Sequence, residues 1–134
     1  MDFQKMIDAM GELDRKTRGK YHLTLGKAIE QLETLAPTTP VVFAGEPYGP
    51  GNPHSYRGYY SDLAFESVSD VTAASFLADC RDALGATFQG YKGGDFVMSK
   101  DTPLWHANEG SSGLAIISAA VVSGELVLQT KEID

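Results

Sequence analysis

The sequence of 134 residues has one cysteine, Cys80, so it cannot form a disulfide within the chain. That composition is typical of proteins from a reducing compartment. The longest apolar run, Leu114 to Val122, is far shorter than the roughly 20 residues that span a bilayer. The first residues also lack the basic and apolar segments of a secretory signal. These absences predict a cytoplasmic protein with no membrane partner.

Positive charge is also scarce. The chain has 11 Lys and Arg against 18 Asp and Glu, a formal net charge of −7 and a sequence pI of about 4.8. Proteins that bind duplex nucleic acid usually carry a basic domain or patch. The single dense basic cluster lies within residues 15–20, so duplex DNA is not expected as the main partner. A small anion remains possible, because two or three cations can hold it.

Signatures of common enzymes are missing as well. The chain has no dinucleotide-binding glycine motif, no phosphate-binding loop, no zinc-protease motif and no serine nucleophile elbow. His22, His54 and His106 do not have the spacing of metal ligands. We therefore expect no metal, no cofactor and no catalysis. Two alternatives stay open, namely a small nucleotide-processing enzyme with His54 or His106 as acid or base, and a protein-binding inhibitor that works through its acidic surface.

Helical patterns occur in three places. Apolar residues at helical spacing predict a helix over residues 2–14 and another from about Thr24 to Leu35, before Pro37. Thr72 is a suitable N-cap and Gly85 a suitable C-terminal residue for a further helix. Its apolar face contains Cys80, which is expected to be a core residue.

Strand patterns dominate the second half of the chain. The final two predicted strands, Leu114–Val122 and Glu125–Thr130, are joined as a hairpin at Ser123–Gly124. Other predicted strands are Val41–Ala44, Leu63–Glu66, Ala86–Phe88, Asp95–Met98 and Pro103–Ala107. Residues 45–55, with three Gly and three Pro, predict a long connection. The order of elements predicts a single compact α+β domain, with a mostly antiparallel sheet and two to three helices.

That pattern divides the chain into residues 1–20, an N-terminal helix and basic arm, and residues 21–134, a single ligand-binding domain. Two segments of the domain combine cations with aromatic rings. Tyr56 and Arg57 offer a ring and a planar donor fork that matches phosphate, although Arg57 is equally able to pair with Asp62.

The second such segment is rich in glycine. Phe88 and Tyr91 offer rings for stacking on a base, Lys92 adds charge among glycines that can cradle an anion, and Asp95 can bond ribose hydroxyls. An ordinary hairpin turn with core aromatics explains the same pattern. We retain both interpretations.

A third segment contains the only tryptophan. Trp105 offers a stacking surface, and His106 and Asn108 can hydrogen-bond the edge of a polar ring. The alternative is that Trp105 closes the core and Asn108 makes a turn. Adjacent strand residues face opposite sides, so both interpretations can hold together.

Several of these segments together resemble a group of small proteins common in phages and prophages. The shared motifs are SYRGYY (55–60), LAFE (63–66), GATFQGYKGG (85–94) and DTPLWHAN (101–108), preceded by the LTLGKAIEQLETL segment (23–35). This group is similar to the Thoeris anti-defence sponge proteins, which sequester cyclic ADP-ribose isomers made by bacterial immune TIR enzymes.

The resemblance implies a binder that does not transform its ligand. It also implies a homo-oligomer, dimeric or hexameric, with the ligand at subunit contacts, and some members hold cyclic oligonucleotides at a second site. A ligand-clamping role carries over to Arg57, Phe88 and the residues around Asn108. If the protein is phage-encoded, the resemblance implies that it acts in the host bacterial cytoplasm, and the protein-binding alternative is then an inhibitor of a host defence complex. Residues before Tyr21 lie outside the resemblance.

Overall fold

Both described helices begin where a threonine precedes an apolar stripe. Helix α1 (Leu25–Leu32) follows Thr24, whose hydroxyl accepts a backbone N–H from the first turn. Helix α2 (Ala73–Ala83) follows Thr72, which forms a capping box with Ser75: the side chain of each accepts the backbone N–H of the other. These caps satisfy N–H groups that have no partner within the helix. Both predicted helix starts are confirmed, although α1 ends earlier than the sequence predicts.

The computed structural model describes residues 21–56, 59–90, 94–108 and 112–132. The predicted helix over 2–14 and the basic segment to residue 20 lie outside these ranges. The described ranges contain eight strands: β1 (Val41–Phe43), β2 (Gly49–Tyr56), β3 (Tyr59–Val68), β4 (Thr87–Gln89), β5 (Asp95–Val97), β6 (Leu104–His106), β7 (Leu114–Val122) and β8 (Glu125–Lys131).

Six of these strands form one curled, mixed sheet in the order β1-β8-β7-β6-β3-β2, and β4 and β5 form a separate hairpin. The predicted α+β class is confirmed, and most strand pairs are antiparallel. β1 pairs with β8 and β3 pairs with β6 in parallel. A parallel pair needs a long crossover, which α2 and the β4–β5 hairpin provide between β3 and β6. The curl brings β1 and β2 together, and Phe43 N–H donates to the Tyr48 carbonyl at 2.8 Å.

The structure corrects the prediction for the glycine- and proline-rich segment. It was expected to be a connection as far as residue 55, but Gly49–Tyr56 is strand β2. β2 is the last strand of the sheet, where proline is tolerated because one side of the strand needs no ladder N–H. Its register with β3 shifts between Gly51 and His54.

The sheet buries side chains on both faces. Both helices pack on one face, here called the inner face, where Phe43, Phe65 and Phe76 are among the largest core side chains. Cys80 is fully buried there, as predicted, and burial together with the nearby Asp79 carboxylate raises the pKa of its thiol. The opposite, outer face carries a second cluster that consists of Tyr56, Ala64, Trp105, Ala107 and Ala115.

Candidate functional site

Three aromatic rings lie nearly parallel on the outer face, and we call Tyr56, Tyr59 and Trp105 the aromatic platform. The ring centroids of Tyr56 and Trp105 are 4.1 Å apart with an interplanar angle of 6°. The Tyr59 ring centroid is 6.1 Å from that of Trp105 and 6.4 Å from that of Tyr56, at 13° and 8°. Offset parallel rings at such distances stabilise one another beyond their burial.

Polar contacts hold the platform in place. The indole N–H of Trp105 donates to Asp62 Oδ2 at 2.8 Å, and both residues are buried. The Tyr56 hydroxyl accepts the backbone N–H of Gly113 at 3.0 Å, and the His22 ring contacts Trp105 edge-on with centroids 4.7 Å apart. A hydrogen bond to a buried carboxylate is strong, so the orientation of Trp105 is well defined.

Exposure differs sharply across the platform. Trp105 is 4% exposed and Tyr56 is 7% exposed, whereas Tyr59 is 44% exposed. Tyr56 covers one face of the indole, so the role of Trp105 in the platform is to hold the two tyrosine rings in position. Tyr59, which belongs to the SYRGYY motif but was not predicted as a site residue, is the most exposed ring of the platform.

The β4–β5 hairpin places Phe88 opposite Phe96 and leaves Asp95 exposed, and Phe88 packs against the core of the inner face rather than beside the aromatic platform. The Phe96 ring lies 5.5 Å from the ring of Tyr60 at the start of β3. The glycine-rich hairpin therefore contacts the strand that follows Arg57. Arg57, Tyr91 and Lys92 themselves lie outside the described residues, so their joint role in one pocket stays a prediction.

His106 lies on the inner face, separated by the sheet from its neighbour Trp105. Its ring stacks on Phe43 with centroids 3.8 Å apart, and its Nε2 is 2.7 Å from Ser67 Oγ. Ser67 donates its hydroxyl proton to Glu46 Oε1 at 2.9 Å, while His106 Nδ1 is 4.0 Å from Glu46 Oε2. Burial lowers the pKa of His106, and the Glu46 carboxylate partly opposes this shift.

The structure thus separates residues that the sequence places side by side. Asn108 is exposed two residues after the end of β6 and is not buried with Trp105. Asp62 was predicted only as a possible partner for Arg57, and Ser67 and Glu46 were not predicted as site residues. The alternation of side chains along a strand predicts that Trp105 and His106 face opposite sides of the sheet. No local sequence pattern predicts the hydrogen bond between Trp105 and Asp62.

Other candidate sites have fewer polar or aromatic groups that could bind a ligand. A groove of about 390 Å³ between α1 and α2 is lined mostly by apolar side chains. Arg81 lines it and pairs with Glu33 at 3.3 Å, and none of the predicted site residues that the structure describes lines it. Within the described ranges, no three His, Cys, Asp or Glu side chains are grouped to hold a metal ion. No helix in those ranges is long and apolar enough to cross a membrane.

Comparison of the chain with protein-family models, with curated proteins and with solved structures finds no match.

Proposed function

We propose that this protein is a phage-type anti-defence protein that binds a cyclic ADP-ribose isomer and sequesters it without cleaving it. The observation that carries the proposal is the anchored aromatic platform with the exposed ring of Tyr59. The motif resemblance supplies the ligand class and the bacterial cytoplasm as the place of action.

The ligand presents a purine, two riboses and two phosphates, and the candidate residues match each part. Tyr59 stacks on the purine, a contact of about 1–3 kcal/mol for bases on aromatic side chains. Arg57 and Lys92 bind phosphate by charge-assisted hydrogen bonds. Asp95 and Asn108, both exposed, bond ribose hydroxyls.

Tight sequestration needs more than one of these contacts. A micromolar dissociation constant corresponds to about −8 kcal/mol, several times the contribution of one stacked ring. On this proposal a second copy of the chain completes the pocket, as a homo-oligomer with the ligand at subunit contacts. The contact between Tyr60 and Phe96 supports the idea that the Arg57 and Lys92 segments act together.

The test is binding followed by recovery of the ligand. Incubation with a cyclic ADP-ribose isomer should raise the melting temperature by mass action, and heat denaturation should release the ligand with unchanged mass. Native mass spectrometry reports the oligomer and the bound mass together. A converted ligand would indicate an enzyme, and no thermal shift with any such isomer would contradict the proposal.

A matched pair of variants locates the site. Tyr59→Ala should weaken binding by about 5- to 150-fold, the equivalent of one lost stacking contact. Tyr48 is 47% exposed, close to the 44% of Tyr59, and lies in the β1–β2 connection. Tyr48→Ala should therefore leave affinity unchanged, and equal affinities for the two variants would exclude the platform as the binding surface.

A further inference from the structure

A lysine shares the outer face with the aromatic platform. Ala64, Trp105, Ala115 and Lys131 are successive cross-strand partners on β3, β6, β7 and β8. Directly paired residues point to the same side of a sheet, so Lys131 is on the side of Trp105. The two lie two strands apart, about 10 Å at the usual strand spacing.

The other cations in the described ranges lie elsewhere. They are Lys27 in α1, Arg81 in α2 and Lys100, which lies against Gly26 in α1. Both helices pack on the inner face, so these three side chains cannot reach the platform through the sheet. Lys131 is therefore the cation of the described ranges that stands on the aromatic face.

The surroundings of Lys131 leave its ammonium group available. Lys131 is exposed, and the residue directly opposite it is Ala115 rather than a carboxylate. Glu132 follows beyond the end of β8. The row of paired residues continues from Ala64 to His54 on β2, whose Nδ1 is 3.7 Å from the Glu66 carboxylate. The carboxylates of β3, which are Glu66 and the buried Asp62 that accepts the Trp105 indole N–H, therefore lie on the far side of β6 from Lys131.

We propose that Lys131 binds a phosphate of the nucleotide ligand while Tyr59 stacks on its base. This inference rests on the proposed function. It adds one phosphate-binding residue and the orientation of the ligand, with the base at Tyr59 and the phosphate toward β8. In a nucleotide, one ribose separates the phosphate from the base. The lysine side chain is long enough to cover part of the distance of two strands between Lys131 and the platform. The chain has a net charge of −7, so bound phosphate requires a local cation.

Isothermal titration calorimetry with two probes tests this assignment. The probes are a cyclic ADP-ribose isomer and adenosine, which has the base but no phosphate. Lys131→Gln should weaken binding of the phosphate-bearing probe by about tenfold or more, the scale of one lost charge-assisted hydrogen bond. It should also reduce the salt dependence of that binding, because one ionic contact is removed. Adenosine affinity should not change.

Lys100→Gln is the matched control, because it makes the same change in net charge at an exposed site beside α1. Equal affinity of the Lys131→Gln and Lys100→Gln variants for the phosphate-bearing probe would overturn the assignment. If wild-type protein binds the probe and Tyr59→Ala weakens it while Lys131→Gln does not, only the lysine inference fails. If wild-type protein binds neither probe, the proposed function fails and the inference fails with it.

Discussion

The hydrogen bond between Trp105 and Asp62 should make the effects of substituting these two residues strongly non-additive. Hydrogen bonds to a charged group contribute about 1.5–3 kcal/mol, against about 0.5–1.5 kcal/mol for neutral pairs. Asp62→Asn preserves shape and replaces a charged acceptor by a neutral one. It should therefore lower the free energy of unfolding by about 1–2 kcal/mol in the wild-type background.

Trp105→Phe removes the indole donor and leaves the buried carboxylate with one fewer hydrogen bond. We expect it to cost about 2–4 kcal/mol, from the lost charge-assisted bond and the reduced ring volume. In that background Asp62→Asn should be neutral or stabilising, because a neutral amide tolerates burial better than a carboxylate that has lost a donor. The other interactions of Asp62 are common to both backgrounds and cancel in the comparison.

Urea unfolding followed by far-ultraviolet circular dichroism measures the four proteins of this cycle. Fluorescence is unsuitable, because Trp105 is the only tryptophan. Independent sites add within about 0.3–0.5 kcal/mol. If Asp62→Asn costs the same in both backgrounds within that margin, the bond does not anchor the platform as described.

Two further predictions concern backbone packing and pH. A Cβ added at Gly113 would lie 2.6 Å from the Ala107 Cβ, so Gly113→Ala should cost about 1–3 kcal/mol and weaken ligand binding. Gly85→Ala meets no atom within 4 Å and strains only a φ of +79°, so it should cost about 1 kcal/mol in urea unfolding without affecting binding. The lowered pKa of His106 means that the unfolded chain takes up its proton first as the pH falls. Wild-type stability should therefore drop relative to His106→Gln as the pH falls through 6.5, and then level off below the folded-state pKa. Parallel curves for the two proteins in urea unfolding at several pH values would contradict this assignment.

Local signals predicted the two described helices and the final hairpin well. Thr72 caps α2, and Gly85 adopts the left-handed conformation expected after a helix. The β7–β8 hairpin turns at Ser123 and Gly124, both with positive φ. These features depend on a few consecutive residues, so sequence alone is sufficient to identify them.

The pairing of strands that are distant in the sequence was harder to predict. The parallel pairing of β3 with β6 joins residues about 40 positions apart, such as Ala64 and Trp105, and no local pattern specifies it. The sequence leaves open whether Tyr56 and Trp105 contact a ligand or, for Trp105, close the core, and the structure stacks the two rings on each other. Sequence identifies aromatic residues that favour stacking, but the partner of each ring depends on the register of distant strands.

The cluster of Ser67, His106 and Glu46 is the described arrangement closest to catalytic machinery, so it bears on the choice between a binder and an enzyme. A nucleophilic serine must give its proton to the imidazole, and the acid must orient the imidazole from its other nitrogen. Here Ser67 donates to Glu46 instead, and so it accepts from His106 Nε2.

The hydrogen bond from the imidazole to the acid, which a catalytic triad also needs, is missing here as well. His106 Nδ1 is 4.0 Å from the Glu46 carboxylate, which is too long for a hydrogen bond. The carboxylate therefore holds the serine proton and does not orient the base. This arrangement ties the β1–β2 connection, which carries Glu46, to the ends of β3 and β6, and it favours a structural role for His106 over acid–base catalysis.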